Sequence, residues 1–316
     1  MIEICKRERT DLLLIAGDLF HRQPLLRELK EVNYLFSTIE NTEVVLIAGN
    51  HDYIKRDSYY RTFQWNENVH PLFSEEIDYV ELPGIDTCVY GLSYHQREVT
   101  EPLYDQAVPG ERMPYEILLA HGGDEKRIPI KKNRLASLGY DYVALGHIHK
   151  PMELLKDRIA FAGALEPIDI NDTGRHGMIR GEIDESGTKI SFVPLAKREY
   201  IHLCVEVDKK MTNGSLKEKA RQLMEKMGEQ NLYKLVISGF RDPDIEFRTE
   251  ELNDCGNVVE AEDQSKPAYD FQRLYENNKN NLLGHYIKSL IEYPEDTVEY
   301  QALYEGVQAL LTTKRG

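Results

Sequence analysis

The chain has 316 residues, 41% of them apolar and 29% charged, with a formal charge of −15. That is globular composition at a length for one large domain or two smaller ones, and it excludes a collagen-like, disordered or coiled-coil protein. Residues 1–200 hold 24 basic against 33 acidic side chains and residues 201–316 hold 15 against 21, so neither part has the basic excess of an autonomous DNA binder.

No apolar run approaches the ~18–20 residues of a membrane span, and MIEICKRERTD at the N-terminus has no apolar signal core. Cys5, Cys88, Cys204 and Cys255 form no CxxC pair. A chain of this length needs no disulfide staple. The expectation is a cytoplasmic protein with no membrane contact.

In chain order, residues 2–9 read as the end of a helix with a charged face. Residues 11–16 (DLLLIA) form a continuous apolar run closed by Gly17, the pattern of a strand buried on both faces. Residues 24–40 place Leu25, Leu26, Leu29, Val32, Leu35, Phe36 and Ile39 at helical spacing, with Pro24 at the first turn. Residues 43–48 (EVVLIA) repeat the strand pattern before Gly49. Strand, helix and strand make a βαβ unit. The theme returns with a strand over 115–120, a helix over 130–138 and a strand over 140–145. A further strand is expected over 88–94. After Pro151 short strands over 152–155, 159–162, 178–183, 189–193 and 201–207 predict antiparallel pairing. A helix over 216–227, strands over 233–238 and 258–260, and helical stretches over 269–291 and 298–311 complete the chain. The change of character puts a domain boundary near residue 198.

Four strand ends carry metal-competent side chains: Gly17-Asp18-Leu19-Phe20-His21, Gly49-Asn50-His51-Asp52, His121-Gly122-Gly123 and Gly146-His147-Ile148-His149. Ligands in open α/β sheets sit outside the carboxyl ends of the strands, so one rim receives Asp18, Asn50, His121, His147 and His149. A carboxylate, an amide oxygen and three imidazoles suit Mn, Fe or Zn better than Ca. A carboxylate such as Asp18 can bridge two ions ~3.5–4 Å apart, an arrangement that clamps a phosphate and acidifies a bound water. His51 is placed to act on the phosphate or the leaving oxygen, with Asp52 orienting its ring. Taken singly, each motif has a bland reading, such as a turn or cap residue for Asp18. The four together, in order and each at a strand end, point to a metal site. His70, His202 and His285 read as surface or packing residues. His95 and His176 fall in loops within reach of a site, and Tyr59, Tyr60, Phe63 and Trp65 read as packing aromatics.

GDLFH, GNHD, HGG and GHIH, in that order, resemble the calcineurin-like metallophosphoesterases. The flanking stretches AGDLFHRQPL, GNHDYIKRDSYY, LGHIHKP, GALEP, VPLAKREY and PAYDFQRLYENNKNNLLGHYIKSL are similar to the DNA repair exonucleases of the SbcD type, in the YhaO-like branch. The resemblance implies an α/β metallophosphoesterase sandwich of mixed β-sheets flanked by helices over residues 1–197. A smaller α+β capping and partner-binding domain would occupy 198–316. It implies two divalent ions, most often Mn: Asp18 bridging, Asn50, His121 and His147 completing one site, and His149 serving the other. It also implies His51 and Asp52 as catalytic residues, His21 beside the substrate strand, and DNA as substrate. The implied partners are an SbcC-like coiled-coil ATPase and a second copy in a homodimer. In that family a first strand ends in Asp-x-His and supplies two ligands to the metal held by His149. The 17 residues before Asp18 contain no histidine. The expectation is therefore an N-terminally truncated domain with an exposed sheet edge, a weak or empty second metal site, and little nuclease activity. The rival readings are a phosphoesterase for nucleotides or other small esters, and a catalytically impaired scaffold subunit.

Overall fold

A computed structural model describes residues 1–315. The chain divides into two compact units, residues 1–200 and 201–316.

The first unit opens with helix α1 (Ile2–Glu8), ended by Arg9 in the left-handed conformation at φ 52°. Strands β1 (Leu12–Ala16) and β2 (Glu43–Ile47) pair in parallel, from Leu12 opposite Glu43 to Ala16 opposite Ile47. Helix α2 (Leu26–Ser37) connects them. Pro24 lies outside this helix rather than in its first turn. Glu28 sets the start instead, its carboxylate accepting from Leu25 N at 2.9 Å. Leu29 and Phe36 are the buried residues of α2, whereas Leu25, Leu26 and Leu35 are exposed. The buried stripe is therefore narrower than the sequence spacing predicts. Strand β3 (Val69–Pro71) extends the sheet in parallel beside β2. At three residues ending in proline, it is too short to leave a periodic signal.

A second sheet has six strands. Strand β4 (Asp78–Leu82) runs antiparallel to β5 (Thr87–Gly91), and β5, β6 (Tyr115–His121) and β7 (Tyr142–Gly146) are parallel. Helix α3 (Lys132–Ala136) makes the crossover from β6 to β7. Strands β8 (Met152–Leu155) and β9 (Ile159–Phe161) form an antiparallel pair, but β9 also pairs in parallel with β7, against the expectation of purely antiparallel pairing. The pairing matters for function. His121 stands opposite Gly146 across the β6–β7 ladder, just as Ala16 stands opposite Ile47 across the β1–β2 ladder. Register alone thus brings each pair of motifs to a common level.

The two sheets face each other through Val45, Ile47, Leu72, Val89, Ile117, Leu119 and Ala144. Cys5, Leu13, Ile15, Phe36, Val44 and Leu46 fill the outer side of the smaller sheet beneath the helices. Tyr90, Leu118, Ala120, Leu135, Tyr140 and Val143 belong to the core on the far side of the larger one. Mixed sheets flanked by helices are the architecture expected from the sequence. Strands β10 (Gly177–Asp184) and β11 (Gly187–Pro194) form an antiparallel hairpin. Among the described residues β1 has only β2 as a ladder neighbour, and β10 has only β11. A cavity of about 460 Å³ is lined by Leu12, Leu14 and Ala16 from β1, Met178 from β10, and Tyr142 and Ala160 from the larger sheet. The expected unpaired edge is thus present at β1, next to an apolar cavity.

The second unit has its own core. Strands β12 (Tyr200–Val207), β13 (Leu232–Arg241) and β14 (Val258–Asp263) lie side by side, and β15 (Lys266–Pro267) pairs with the end of β13. Helix α4 (Asn213–Met227) buries Leu216, Ala220 and Met224 at helical spacing. The stretch over 269–291, expected as one helical region, is two helices, α5 (Phe271–Asn278) and α6 (Leu282–Leu290). Asn281 breaks it, capping α6 by accepting from Gly284 N at 3.2 Å. Helix α7 (Val298–Arg315) closes the chain, and Phe271, Leu283, Ile287, Leu303 and Val307 pack these helices together. Among the described residues no helix is long and apolar enough to cross a membrane.

Candidate metal centre

The ends of β1, β2, β6 and β7 meet at one rim. Two glycines make that meeting possible. Gly17 has φ +81°, and a Cβ there would lie 2.5 Å from His121 Nδ1. At Gly49 a Cβ would collide with the Asp18 carboxylate. Any larger residue at either place would push the motifs apart. Asp18 and His147 themselves sit at φ 50° and 92°. Side-chain-bearing residues avoid this region unless surrounding structure holds them there.

Asp18, His121 and His147 offer ligand atoms that all lie within 4.8 Å of one another, a grouping that can hold a metal ion. Asn50 joins them. Its Oδ1 is 3.0 Å from His121 Nε2 and 3.0 Å from His147 Nδ1. Asp18 Oδ2 is 3.3 Å from the same His121 Nε2, and Asp18 Oδ1 accepts from His51 N at 2.8 Å. Burial pushes the Asp18 carboxyl up, but hydrogen bonding and charge from His121 and the His51 N–H outweigh it, so it stays below the ordinary aspartate value.

The chemistry of this set fits a divalent cation. His121 is fully buried, and its Nδ1 lies 2.8 Å from the carbonyl oxygen of Ala16. A carbonyl only accepts, so a neutral ring carries its proton on Nδ1 and turns the Nε2 lone pair inward. In that form the lone pair faces the Asn50 and Asp18 oxygens, so three electron-rich atoms converge, and a positive charge is needed among them, either a proton on His121 or a metal ion. A cation placed there satisfies all three at once. The mixed oxygen and imidazole set suits Mn, Fe or Zn.

The ring of His121 is further fixed from behind. Its backbone N–H donates to Tyr104 Oη at 2.9 Å, and its carbonyl accepts from Tyr94 Oη at 3.1 Å. The Tyr94 ring packs edge-on against the imidazole at 5.4 Å. Neither tyrosine is near a motif in the sequence.

His149 stands apart. It does not belong to the mutual-reach group of Asp18, His121 and His147, and its Nδ1 is 3.0 Å from Asp172 Oδ2. Among the described residues no other group of three such side chains is close enough to hold an ion.

His51 and His21 stack, with ring centroids 4.2 Å apart and planes 21° from parallel. His21 is exposed and His51 partly so. Desolvation first, then the charges of His21 and Arg97, lower the His51 pKa below the ordinary histidine value against the pull of Asp18. His51 is therefore a neutral imidazole at neutral pH.

Asp52 does not orient the His51 ring, as the sequence reading expected. Its Oδ1 accepts from Gly49 N at 2.7 Å, and its Oδ2 accepts from Tyr60 Oη at 2.9 Å and Phe20 N at 3.3 Å. The side chain turns inward because one donor from each motif loop and the Tyr60 hydroxyl converge on it. Asp52 thus ties the loop after β1 to the loop after β2. It is fully buried, and burial together with the nearby Asp18 charge raises its pKa to about 6. Tyr60 lies in the aromatic cluster with Trp65 and Phe73, so it both packs and donates.

The remaining histidines lie outside the cluster. His70 pairs with Glu43 at 2.6 Å, and His95 Nε2 meets the Phe73 carbonyl at 2.9 Å. His176 is buried, with Nδ1 3.0 Å from Gly174 O.

Comparison with known proteins agrees with this geometry. Residues 1–151 match the family model described as calcineurin-like phosphoesterase. The chain is also 31% identical over 193 residues to an uncharacterized metallophosphoesterase, YhaO, of Bacillus subtilis (strain 168). That alignment covers 56% of this chain and 46% of the relative, so the chain spans less than half of the relative's length. Residues 1–151 thus resemble the calcineurin-like phosphoesterases, a likeness in keeping with a divalent-metal site at this rim.

Proposed function

We propose that this chain is a metal-dependent phosphodiesterase acting on DNA, the nuclease component of a repair complex of the SbcCD kind. The observation that carries the reading is the convergence of Asp18, Asn50, His121 and His147 at one rim, with His21 and His51 stacked beside them. A divalent ion bound there, taken here as Mn, would supply Lewis-acid polarisation of a phosphoryl oxygen and acidification of an attacking water.

The chain's own residues do the rest. Asp18 takes a backbone donor on one oxygen and keeps the other for the cation. His121 and His147 present one nitrogen each, with the opposite nitrogen occupied. His51, neutral at neutral pH, offers a ring N–H to a phosphoryl or leaving oxygen. His21, exposed and stacked on it, covers the approach, where an extended nucleic-acid strand would lie. With a charge of −15, the chain is a poor DNA binder by counterion release. The reading therefore assigns DNA grip to a coiled-coil ATPase partner, docked through residues 201–316. The reading takes the second ion site as weak or empty, since His149 is held by Asp172 outside the main cluster.

The test is cleavage by the purified chain, with and without Mn²⁺, of a DNA duplex, of nucleoside monophosphates and of bis(p-nitrophenyl) phosphate. His121→Ala is the control. Mn-dependent DNA cleavage that vanishes in the variant supports the reading. Turnover of the nucleotides but not the duplex replaces it with a small-ester phosphoesterase. Binding of a coiled-coil ATPase without cleavage of any substrate replaces it with a scaffold role.

A further inference from the structure

Asp124 lies on the turn after His121-Gly122-Gly123 and belongs to none of the ligand motifs. Its Oδ1 accepts from Lys126 N at 2.8 Å, and Arg127 N donates to its carbonyl at 3.3 Å. Gly123 N closes the same turn onto Arg127 O at 2.8 Å. One carboxylate oxygen is thus committed to the local turn, which fixes the direction of the other. That other oxygen, Oδ2, stands 2.8 Å from His147 Nε2. On the far side of the same ring, Nδ1 stands 3.0 Å from Asn50 Oδ1, the oxygen that also faces His121.

An imidazole held this way has little choice. A carboxylate is an acceptor only, so the ring keeps its proton on Nε2 and turns the Nδ1 lone pair toward Asn50 and His121. The His147 backbone is at φ 92°, so the local chain conformation is not a relaxed one for a histidine and an outside hold on the ring is useful. The same device recurs at two neighbours. Ala16 O faces His121 Nδ1 at 2.8 Å, and Asp172 Oδ2, which also accepts from Ile168 N at 3.1 Å, faces His149 Nδ1 at 3.0 Å.

We propose that Asp124 is a positioning residue for the metal centre: it fixes the tautomer and ring plane of His147 and makes Nδ1 a stronger donor to the cation. The proposal rests on the metal centre described above. Carboxylates in this relation to a ligating histidine change metal affinity by about 10- to 100-fold.

Two variants separate this role from that of a turn residue. In Asp124→Asn the side-chain oxygen still accepts from Lys126 N, so the turn is kept, while the carboxylate charge facing His147 Nε2 is lost. In Asp124→Ala both are lost. Mn²⁺ is titrated into the metal-free full-length chain, free aqua-Mn²⁺ is followed by its paramagnetic resonance signal, and Tm is measured without metal. The expected result is a Kd for Mn²⁺ raised about 10- to 100-fold in Asp124→Asn with the metal-free Tm unchanged. Wild-type Kd in Asp124→Asn overturns the proposal, as does a Kd change that tracks an equal loss of metal-free Tm in both variants. Failure of the wild-type chain itself to bind Mn²⁺ removes the metal centre, and the positioning role with it, a result distinct from the other two.

Discussion

Asp52 is the residue whose replacement tests the electrostatics of the site most directly. Its folded pKa of about 6 lies above the ordinary aspartate value of 3.8, because burial and the Asp18 charge disfavour the carboxylate. A raised folded pKa means that the protonated form is the one folding favours. Stability from this group is fully present below the unfolded pKa and is lost as pH rises through the folded pKa. Two pKa units and a little more correspond to roughly 3 kcal/mol. About half of that is lost by pH 5 and most of the remainder by about pH 7. In Asp52→Asn there is no ionisation to disfavour. The amide oxygen can still accept from Gly49 N, and the Tyr60 hydroxyl can reverse to accept from the amide nitrogen. Only the 3.3 Å contact from Phe20 N loses its acceptor. The assay is urea unfolding of metal-free wild type and Asp52→Asn at pH 5, 6 and 8. The variant should gain on wild type by about 1 to 1.5 kcal/mol between pH 5 and pH 8. A difference between the two proteins that stays constant across that range refutes the argument, whatever its absolute size.

Three further outcomes follow from the same geometry. Gly49→Ala places a methyl group against the Asp18 carboxylate and should abolish Mn²⁺ binding, read by calorimetric titration, while circular dichroism shows the fold retained. Saturating Mn²⁺ should raise the Tm of wild type in a concentration-dependent way, since a ligand of the folded state alone stabilises by about 2.7 kcal/mol at a hundredfold excess over Kd; chelator should reverse the shift, and His121→Ala should show none. Leu29→Ala, at a fully buried position on α2 packed near Ala48, Ile54 and Tyr60, should cost about 2–5 kcal/mol in chemical denaturation. A cost below 1 kcal/mol there would show that α2 is not anchored to the loop that carries Asn50.

The sequence by itself determined the parts of this protein whose signals are local. The continuous apolar runs before Gly49 and Gly146 are strands buried on both faces, whereas β1 buries only Leu13 and Ile15 and turns Leu12, Leu14 and Ala16 to the cavity; in all three the polar residues beyond the run lie at strand ends. That logic predicts one rim for Asp18, Asn50, His121, His147 and His149, of which the first four converge. Helix α4 was legible for a similar reason, its buried face repeating at helical spacing. What depends on contact between distant segments was not legible. The parallel pairing of β9 with β7, the break at Asn281 and the three-residue strand β3 are decided by ladder partners and caps, which leave little periodicity. The inward turn of Asp52 required knowing that donors from Phe20, Gly49 and Tyr60 converge on one point. Tyr94, Tyr104, Asp124 and Asp172 meet the histidines only through tertiary structure, because hydrogen bonds to the backbone of His121 or to the imidazoles of His147 and His149 set no rule on sequence spacing. The separation of His149 from the cluster is of the same kind: two histidines at alternate positions look equivalent in the chain, and only the folded backbone, with His147 at positive φ, sends them to different neighbours.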